Sequence, residues 1–176
     1  MTDTLSTLRQ RLGNAVSTHN DDLARASLDS ARLPFPPEAV VRPTNDEAIQ
    51  ALLVLANELR VPVTTRGAGS ATTGAASPIH GGWVLDLSHW DKIRIDDTIG
   101  MAHVEAGAIT QKINQAAEDK GWFYPPDPSS QKHCTIGGNI ATNAGGLRGA
   151  KYGVTRDYVY ELEGFLPTGE PDRKSV

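Results

Sequence analysis

The feature that most constrains this chain is a run of small residues in its second half. It extends from Thr135 to Gly146 and includes two glycine pairs, Gly137-Gly138 and Gly145-Gly146. Backbone without side chains can lie against a large flat or extended ligand, and it equally suits tight helix packing through small residues. The residues alone leave both interpretations open. Within the run, Asn139 and Asn143 are spaced to share one face of a short helical turn.

Another glycine-rich stretch, Arg66 to Gly74, lies earlier in the chain and comes directly after an apparent strand. We call Arg66 to Gly74 the first glycine loop and Thr135 to Gly146 the second glycine stretch. Its glycines leave N–H groups uncovered, its hydroxyls add donors and Arg66 adds a fixed positive charge, a combination that suits a pyrophosphate. An ordinary glycine-rich surface loop is the alternative. The stretch is not a Rossmann fingerprint, because Thr72 breaks the G-x-G-x-x-G spacing and no helical pattern follows it. No Walker lysine is present.

The remaining pattern predicts an α+β fold. Helical spacing of Leu5, Leu8, Leu12 and Val16 predicts a helix over 4–17, and a capping box formed by Thr44 and Glu47 opens another. The latter helix, with Ile49, Leu52, Leu53, Ala56 and Leu59 on one face, lies between two short strands, which favours a β-α-β unit with parallel pairing. Further elements are expected as follows: strands at 39–42, 61–65, 83–87, 93–96, 101–106 and 158–166, and a helix at 109–120.

Composition limits the classes of function. The net charge of −4 over 176 residues gives no general attraction to nucleic acid or to anionic membranes. No apolar run approaches the roughly 18 residues needed to span a bilayer. The single cysteine, Cys134, excludes an internal disulfide and fits a reducing compartment, so a cytoplasmic location is expected.

Four blocks of sequence together resemble one known family. They follow each other in the order and spacing of that family: Arg66-Gly67-Ala68-Gly69; Pro125-Pro126-Asp127-Pro128-Ser129-Ser130; Cys134 to Asn139 continuing to Asn143-Ala144-Gly145-Gly146; and Tyr152-Gly153-Val154-Thr155. The chain resembles FAD-linked oxidases that have the p-cresol methylhydroxylase-type FAD-binding domain (vanillyl-alcohol oxidase family). Within that family it is most similar to the glycolate oxidase FAD subunit and D-lactate dehydrogenase group.

The resemblance implies two α+β subdomains with FAD between them, the second of them incomplete here. Arg66 to Gly74 would hold the pyrophosphate, and Ser70 stands where covalent relatives have a flavin-linked histidine, so the FAD is expected to be non-covalent. The residues expected to bind the cofactor are Arg66, Gly67, Ala68, Gly69, Ser70, Gly74, Pro126, Asp127, Ser130, Thr135, Gly137, Gly138, Asn139, Asn143, Ala144, Gly145, Gly146, Tyr152 and Gly153.

The activity that the resemblance implies is oxidation of a small 2-hydroxy acid, of the glycolate or D-lactate type, by hydride transfer to flavin. The electron acceptor stays open, and no catalytic residue is assigned within this chain. Two alternatives also stay open. One is a flavin oxidase for another alcohol, sugar or aromatic substrate on the same scaffold, and the other is a non-catalytic nucleotide-binding fragment.

The resemblance also suggests how the chain is divided. We expect a helical segment at 1–31, the FAD-binding domain at 32–170 and a divergent polar tail at 171–176. The family continues with another strand after Glu170, whereas Pro171 to Val176 is polar and breaks that pattern. The expectation is therefore a truncated product, inactive alone, with an unpaired strand edge near 158–166.

Few other side chains suggest chemistry. His133 beside Cys134 has no second cysteine or clustered histidine to complete a metal or nucleophile site, so no metal site is predicted. Arg148, Lys151 and Arg156 form a small basic group near the second glycine stretch. They would either help to neutralise the cofactor phosphates or simply form a solvated surface.

Overall fold

The computed structural model describes residues 3–175, which divide into two compact units. Unit 1 comprises residues 3–66, 71–86 and 160–175, and unit 2 comprises residues 67–70 and 87–159. The helices are α1 (Thr4–Leu12), α2 (Asn20–Ala26), α3 (Asp46–Leu59), α4 (Thr110–Glu118), α5 (Ile136–Thr142) and α6 (Gly149–Tyr152), with 3₁₀ turns at Gly13–Ala15 and Thr155–Tyr158. The strands are β1 (Val16–Ser17), β2 (Ala39–Val41), β3 (Val63–Arg66), β4 (Trp83–Asp86), β5 (Ile93–Asp96), β6 (Met101–Val104), β7 (Glu161–Phe165) and β8 (Pro171–Ser175).

Unit 1 is built on a four-stranded sheet in the order β1-β2-β4-β3. Strands β2 and β3 each pair with β4 in parallel, and β1 pairs with β2 antiparallel. The expected parallel β-α-β unit is present, but β4 lies between its two strands. Val40 and Val84 are buried at the centre of this sheet, with Ala26 of α2 packed on them. This burial explains why the sequences of β2 and β4 are almost entirely apolar.

Helix α3 contacts α1 and has the amphipathic pattern expected of it. Its buried residues are Ile49, Leu52, Leu55 and Ala56, whereas the predicted Leu53 and Leu59 are only half-buried. Asn45, not Thr44, is the N-cap, and its side chain accepts a hydrogen bond from the Ala48 N–H at 2.9 Å. The predicted cap is therefore displaced by one residue, in line with the stronger capping preference of asparagine over threonine.

The N-terminal segment is only partly helical. Helix α1 ends at Leu12 because Gly13, with φ of 51°, takes a conformation that favours glycine and donates its N–H to the Arg9 carbonyl. Val16 then pairs with Val41 in β1, so the predicted helix over 4–17 is wrong beyond Leu12. Because β1 adds an edge to the sheet, the segment is an integral part of unit 1. Residues 1 and 2 lie outside the described chain.

The C-terminal segment also differs from expectation. Residues 171–175, predicted as a polar tail, form β8, which pairs antiparallel with β7, while Tyr158 belongs to a 3₁₀ turn. Arg173 forms cross-strand ion pairs with Glu161 and Glu163, so charge complementarity stabilises a strand without an apolar pattern. One edge of β7 is thus paired by β8, in a sheet of two strands. Val176 of the predicted tail is not described.

The turn of this hairpin is fitted to α3 within unit 1. Gly169 has φ of 88°, and a Cβ at this position would lie 2.8 Å from the Val54 side chain. Asn57 also donates from its side chain to the Pro167 carbonyl. Only glycine allows the turn to approach the helix this closely.

An ion network joins α2 to the sheet of unit 1. The Arg42 guanidinium lies 2.9 Å from a carboxylate oxygen of Asp22 and 2.9 Å from one of Asp86. The hydrogen bond from Arg42, supported by Ser17, lowers the pKa of Asp22 to about 2. Because that pKa is lower in the folded chain than the ordinary value of 3.8, the stabilisation is complete above pH 4 and is lost as the pH falls towards 2.

We therefore expect Asp22→Asn to lower the free energy of unfolding at pH 7 by about 1 kcal/mol, a value reduced for solvent screening of this partly exposed pair. The difference between the variant and the wild type should shrink between pH 4 and pH 2. Urea denaturation across this range measures it. A difference that stays constant with pH would contradict the assignment of Asp22 as the titrating partner.

Unit 2 combines the β5–β6 hairpin with α4, α5 and the glycine-rich segments. The hairpin is antiparallel, and α4 packs on both of its strands. The core consists of Ala108, Ile113 and Ile136, with half-buried Ile93, Val104, Tyr124 and Ile140 packed around it. This core holds α5, which opens the second glycine stretch, against the hairpin.

Candidate functional site: the glycine-rich loops

The first part of the loop after β3 presents open backbone donors. No acceptor is found within residues 3–175 for the N–H groups of Gly67, Ala68 and Gly69. A Cβ on Gly67 would collide with the Thr135 hydroxyl, which lies in the same unit. Gly69 has φ of 65°, a conformation that side chains disfavour. Gly67 therefore allows the loop to lie close to Thr135, and Gly69 allows the backbone conformation in which these N–H groups stay open.

The rest of the loop is occupied by contacts within unit 1. The sequence predicted that Gly74 helps to hold a phosphate. Its N–H instead donates to a carboxylate oxygen of Asp29 at 2.8 Å and is not available to a ligand. The guanidinium of Arg66 donates to the Ala76 carbonyl at 3.0 Å. Burial lowers the pKa of Arg66, and the nearby carboxylates of Asp86 and Asp29 oppose that effect. Arg66 and Gly74 thus stabilise the loop.

The proline-rich segment is held by hydrogen bonds within unit 2. Pro126 is buried, and the Ser130 carbonyl accepts N–H groups from His133 and Cys134 at 2.7 and 2.8 Å. The Asp127 carboxylate accepts the backbone N–H of Arg148 at 3.0 Å and lies 3.6 Å from its Nε. Asp127 therefore ties this segment to the second glycine stretch.

Helix α5 carries one open donor in its first turn. Gly137 donates its N–H to the Ala106 carbonyl at 2.8 Å, and Thr135 is buried at the N-cap position. Gly138 is exposed, and no acceptor is found for its N–H among the described residues. Of the glycine pair predicted to approach the cofactor, Gly138 has the geometry to do so.

The two asparagines of this stretch have structural roles. Asn139 was expected to bind the cofactor. It is 3% exposed and donates to the Thr110 hydroxyl at 2.6 Å, so its side chain faces the core. Asn143 ends α5 in the left-handed conformation and accepts the Arg156 N–H at 3.0 Å. They do not share one helix face, because the helix ends between them.

The loop after α5 again leaves backbone donors open. No acceptor is found within the described chain for the N–H groups of Gly145 and Gly146, and a Cβ on Gly146 would collide with the Asp127 carbonyl. The Ala144 carbonyl accepts both the N–H and the hydroxyl of Thr155, at 3.0 and 2.6 Å. The loop is therefore anchored at Ala144 and open at the glycines.

Tyr152 and Gly153 close this stretch. The Tyr152 ring meets the Phe123 ring edge-on at 5.5 Å between centroids, and its carbonyl accepts the Tyr158 hydroxyl at 2.5 Å. Gly153 has φ of 85° and would collide with the Asp157 carboxylate if it carried a Cβ. These contacts fix a partly exposed aromatic ring at the end of this stretch.

The basic group and the cysteine are largely engaged in local contacts. Arg148 pairs with Asp127, and the Lys151 Nζ lies 4.7 Å from the centre of the Tyr152 ring. The Sγ of buried Cys134 lies 3.3 Å from the Thr110 hydroxyl. Across residues 3–175, no group of three or more His, Cys, Asp or Glu side chains could hold a metal ion. No helix in the described part of the chain could cross a membrane.

Two residues of this region carried no recognisable signal in the sequence. Asp29 lies in an irregular stretch and reaches Gly74 across 45 positions. Thr110 lies on α4, where its hydroxyl receives Asn139. Neither belongs to a motif, and only the tertiary structure pairs them with the glycine stretches.

Comparison with known proteins decides the family. A family model described as "FAD binding domain" matches residues 37–173. The chain belongs to this FAD-binding family. The predicted resemblance is thus confirmed, as is the mixed α and β fold.

Relatives of this FAD-binding domain include oxidoreductase subunits. It is 50% identical over 135 residues to the glycolate oxidase subunit GlcD of Bacillus subtilis, covering 76% of this chain and 29% of that protein. It is 43% identical over 135 residues to a D-lactate dehydrogenase of Anaerostipes hadrus, covering 76% and 28%. The chain thus spans a little under a third of the length of these relatives.

Solved structures support the fold of the FAD-binding domain. A xylooligosaccharide oxidase from Myceliophthora thermophila has a TM-score of 0.81 at 22% identity, covering 96% of this chain and 37% of its own. The grass pollen allergen Phl p 4 has a TM-score of 0.84 at 20% identity, covering 98% and 38%. At these identities the likeness shows the fold alone.

Proposed function

We propose that this chain binds FAD non-covalently and forms the flavin-binding portion of an oxidoreductase that oxidises a 2-hydroxy acid. The observation that carries the proposal is the set of open backbone N–H groups at Gly67, Ala68 and Gly69, on a loop where a Cβ at Gly67 would collide with Thr135. Backbone donors of this kind suit a pyrophosphate. The family match supplies the identity of the dinucleotide.

The residues that would hold the cofactor are those predicted from the sequence, and their contacts in the structure suggest different roles. Gly67, Ala68, Gly69 and Ser70 would contact the pyrophosphate, Gly138 would add an N–H, and Ala144, Gly145 and Gly146 with Tyr152 and Gly153 would lie beside the flavin. Pro126, Asp127, Ser130 and Thr135 would shape the channel. Gly137 would keep α5 close to Ala106, since a Cβ there would lie 2.9 Å from the Ala106 side chain. Arg66, Gly74, Asn139 and Asn143 would act by stabilising these segments.

The chemistry would come from the cofactor, and the protein would orient it. Bound FAD supplies a hydride acceptor for the α-carbon of the substrate. The residues described here bind and orient that acceptor, and we assign none of them a proton-transfer step. The 2-hydroxy acid class is supported by the relatives named as glycolate oxidase subunit and D-lactate dehydrogenase. A cytoplasmic location is supported by the single buried cysteine.

The test is to purify the protein as its source genome encodes it. We expect a flavin absorbance spectrum, and turnover of D-lactate or glycolate with an artificial electron acceptor that exceeds turnover of glucose about tenfold or more. Preferred turnover of a sugar or simple alcohol would favour another flavin oxidase. A protein without flavin would contradict the proposal altogether.

Acid precipitation of the same preparation tests the linkage. Since Ser70 stands where covalent relatives have histidine, the flavin should pass into the supernatant. Yellow colour retained in the washed pellet would show a covalent bond and overturn the non-covalent part of the proposal.

A further inference from the structure

A buried carboxylate outside the family match contacts the first glycine loop. Asp29 is 6% exposed and precedes residues 37–173, the span of the match. One of its carboxylate oxygens accepts the Ala31 N–H at 2.8 Å, and the other accepts the Gly74 N–H at 2.8 Å. Charge-assisted hydrogen bonds of this kind offset the cost of burying a carboxylate.

The backbone next to Asp29 makes a further contact with the same loop. The Ser30 N–H donates to the Ala71 carbonyl at 3.0 Å, and the Arg32 N–H turns back to the Asp29 carbonyl at 3.1 Å. The segment is therefore hydrogen-bonded to the loop at two points, Ala71 and Gly74. Both contacts lie within unit 1.

Arg66 begins the same loop and shares its electrostatics. Its guanidinium donates to the Ala76 carbonyl, so both the start and the later part of the loop are held within unit 1. The negative charges of Asp86 and Asp29 stabilise the guanidinium against its burial. In sequence, the open donors at Gly67 to Gly69 lie between Arg66 and Ala71, both of which have fixed partners.

We propose that Asp29 is a positioning residue for the first glycine loop: by holding Ala71 to Gly74, it restricts the backbone that leads on from the open donors at Gly67 to Gly69, which would bind the cofactor's pyrophosphate. Its role in cofactor binding rests on the proposed function above. The N-terminal segment thus supplies a part of the binding apparatus that lies outside the family match. Asp29 acts through the loop and does not itself contact the cofactor.

Two substitutions at Asp29 test this role. Asp29→Asn keeps the size of the side chain, but it has one acceptor oxygen for two N–H groups, so one donor faces an amide NH₂. Asp29→Ala removes both acceptors. Asp21→Asn makes the same change of charge at an exposed position, and Val40→Ala weakens the sheet of unit 1 without touching the loop.

The measurements are amide hydrogen exchange and FAD titration of the 176-residue chain. We expect Asp29→Asn to speed amide exchange at Gly74 and Ala31 about tenfold over the wild type, after both are normalised to the slowest-exchanging sheet amides. The same variant should weaken FAD binding about tenfold. Asp29→Ala, which removes both acceptors, should speed exchange and weaken FAD binding further. Asp21→Asn should change neither, and Val40→Ala should lower the melting temperature while leaving the FAD dissociation constant within about twofold.

Each contrary outcome has a distinct meaning. FAD affinity that falls equally in Val40→Ala and Asp29→Asn at matched stability would overturn the positioning role and leave only a general effect on stability. If the wild-type chain binds no FAD, the proposed function fails for this chain, and exchange alone decides the role of Asp29. Unchanged exchange at Gly74 in Asp29→Asn would then overturn it.

Discussion

Replacing Gly138 by valine should weaken FAD binding about 100-fold while leaving the fold intact. A Cβ at Gly138 would have only the Thr135 hydroxyl oxygen nearby, at 3.4 Å, and Gly138 is exposed, so we expect the larger side chain to extend into solvent. It would stand beside an exposed N–H for which no acceptor is found in the described chain. A branched side chain there blocks the approach of a phosphate. Flavin fluorescence titration measures the affinity, and circular dichroism on heating measures the stability.

The matched control is Gly137→Val, one residue earlier. The Gly137 N–H is already bonded to the Ala106 carbonyl, and a Cβ there would lie 2.9 Å from both the side chain and the carbonyl oxygen of Ala106. This variant should lose stability first and cofactor only as a consequence. If Gly138→Val retains its full FAD affinity, Gly138 does not lie at the phosphates.

Replacing Gly107 by alanine should lower the free energy of unfolding by about 3 kcal/mol, at the upper end of the usual cost of overpacking. Gly107 is buried, and its N–H donates to the Trp90 carbonyl at 2.7 Å. A Cβ would collide with the Leu87 carbonyl and lie 2.7 Å from the Trp90 carbonyl and 2.9 Å from the Ser88 carbonyl carbon. All three neighbours are backbone atoms, which cannot rotate away as side chains do. Urea denaturation measures the loss.

Gly164→Ala is the control for this change. Gly164 lies in β7, has no atom within 4 Å of an added Cβ and does not have a positive φ. Its substitution should alter the free energy of unfolding by less than about 0.5 kcal/mol. Equal losses in the two variants would mean that alanine is disfavoured for general reasons and that the close approach at Gly107 is not the cause.

Much of the fold could be predicted because its signals are local. The amphipathic spacing of Ile49, Leu52 and Ala56 marks α3, and the short apolar runs mark β2, β3 and β4. Two strands were mispredicted because their own residues carry no strand pattern. Val16 continues a helical pattern yet pairs with Val41. Pro171 to Ser175 has no apolar pattern yet forms an antiparallel ladder with β7, and Arg173 adds cross-strand ion pairs.

The strand order in unit 1 shows the same limit. Strands β2 and β3 flank α3 in sequence, which suggests that they are neighbours, but β4 lies between them. A β-α-β pattern predicts parallel direction and a right-handed connection, and it leaves room for a later strand between its two members. Pairing of β4 with both strands is decided by packing across the whole sheet.

By itself, the sequence determined where this chain lacks side chains and which family those positions match. The conformational freedom of glycine is a property of the residue itself, so the stretches after Arg66 and Thr135 can be recognised without knowing what packs against them. The tertiary structure decided which donors on those stretches stay available. Gly74 is occupied by Asp29, and Asn139 by Thr110, whereas Gly67 and Gly138 remain open. A hydrogen bond depends on distance in space, and these partners lie 45 and 29 positions away along the chain.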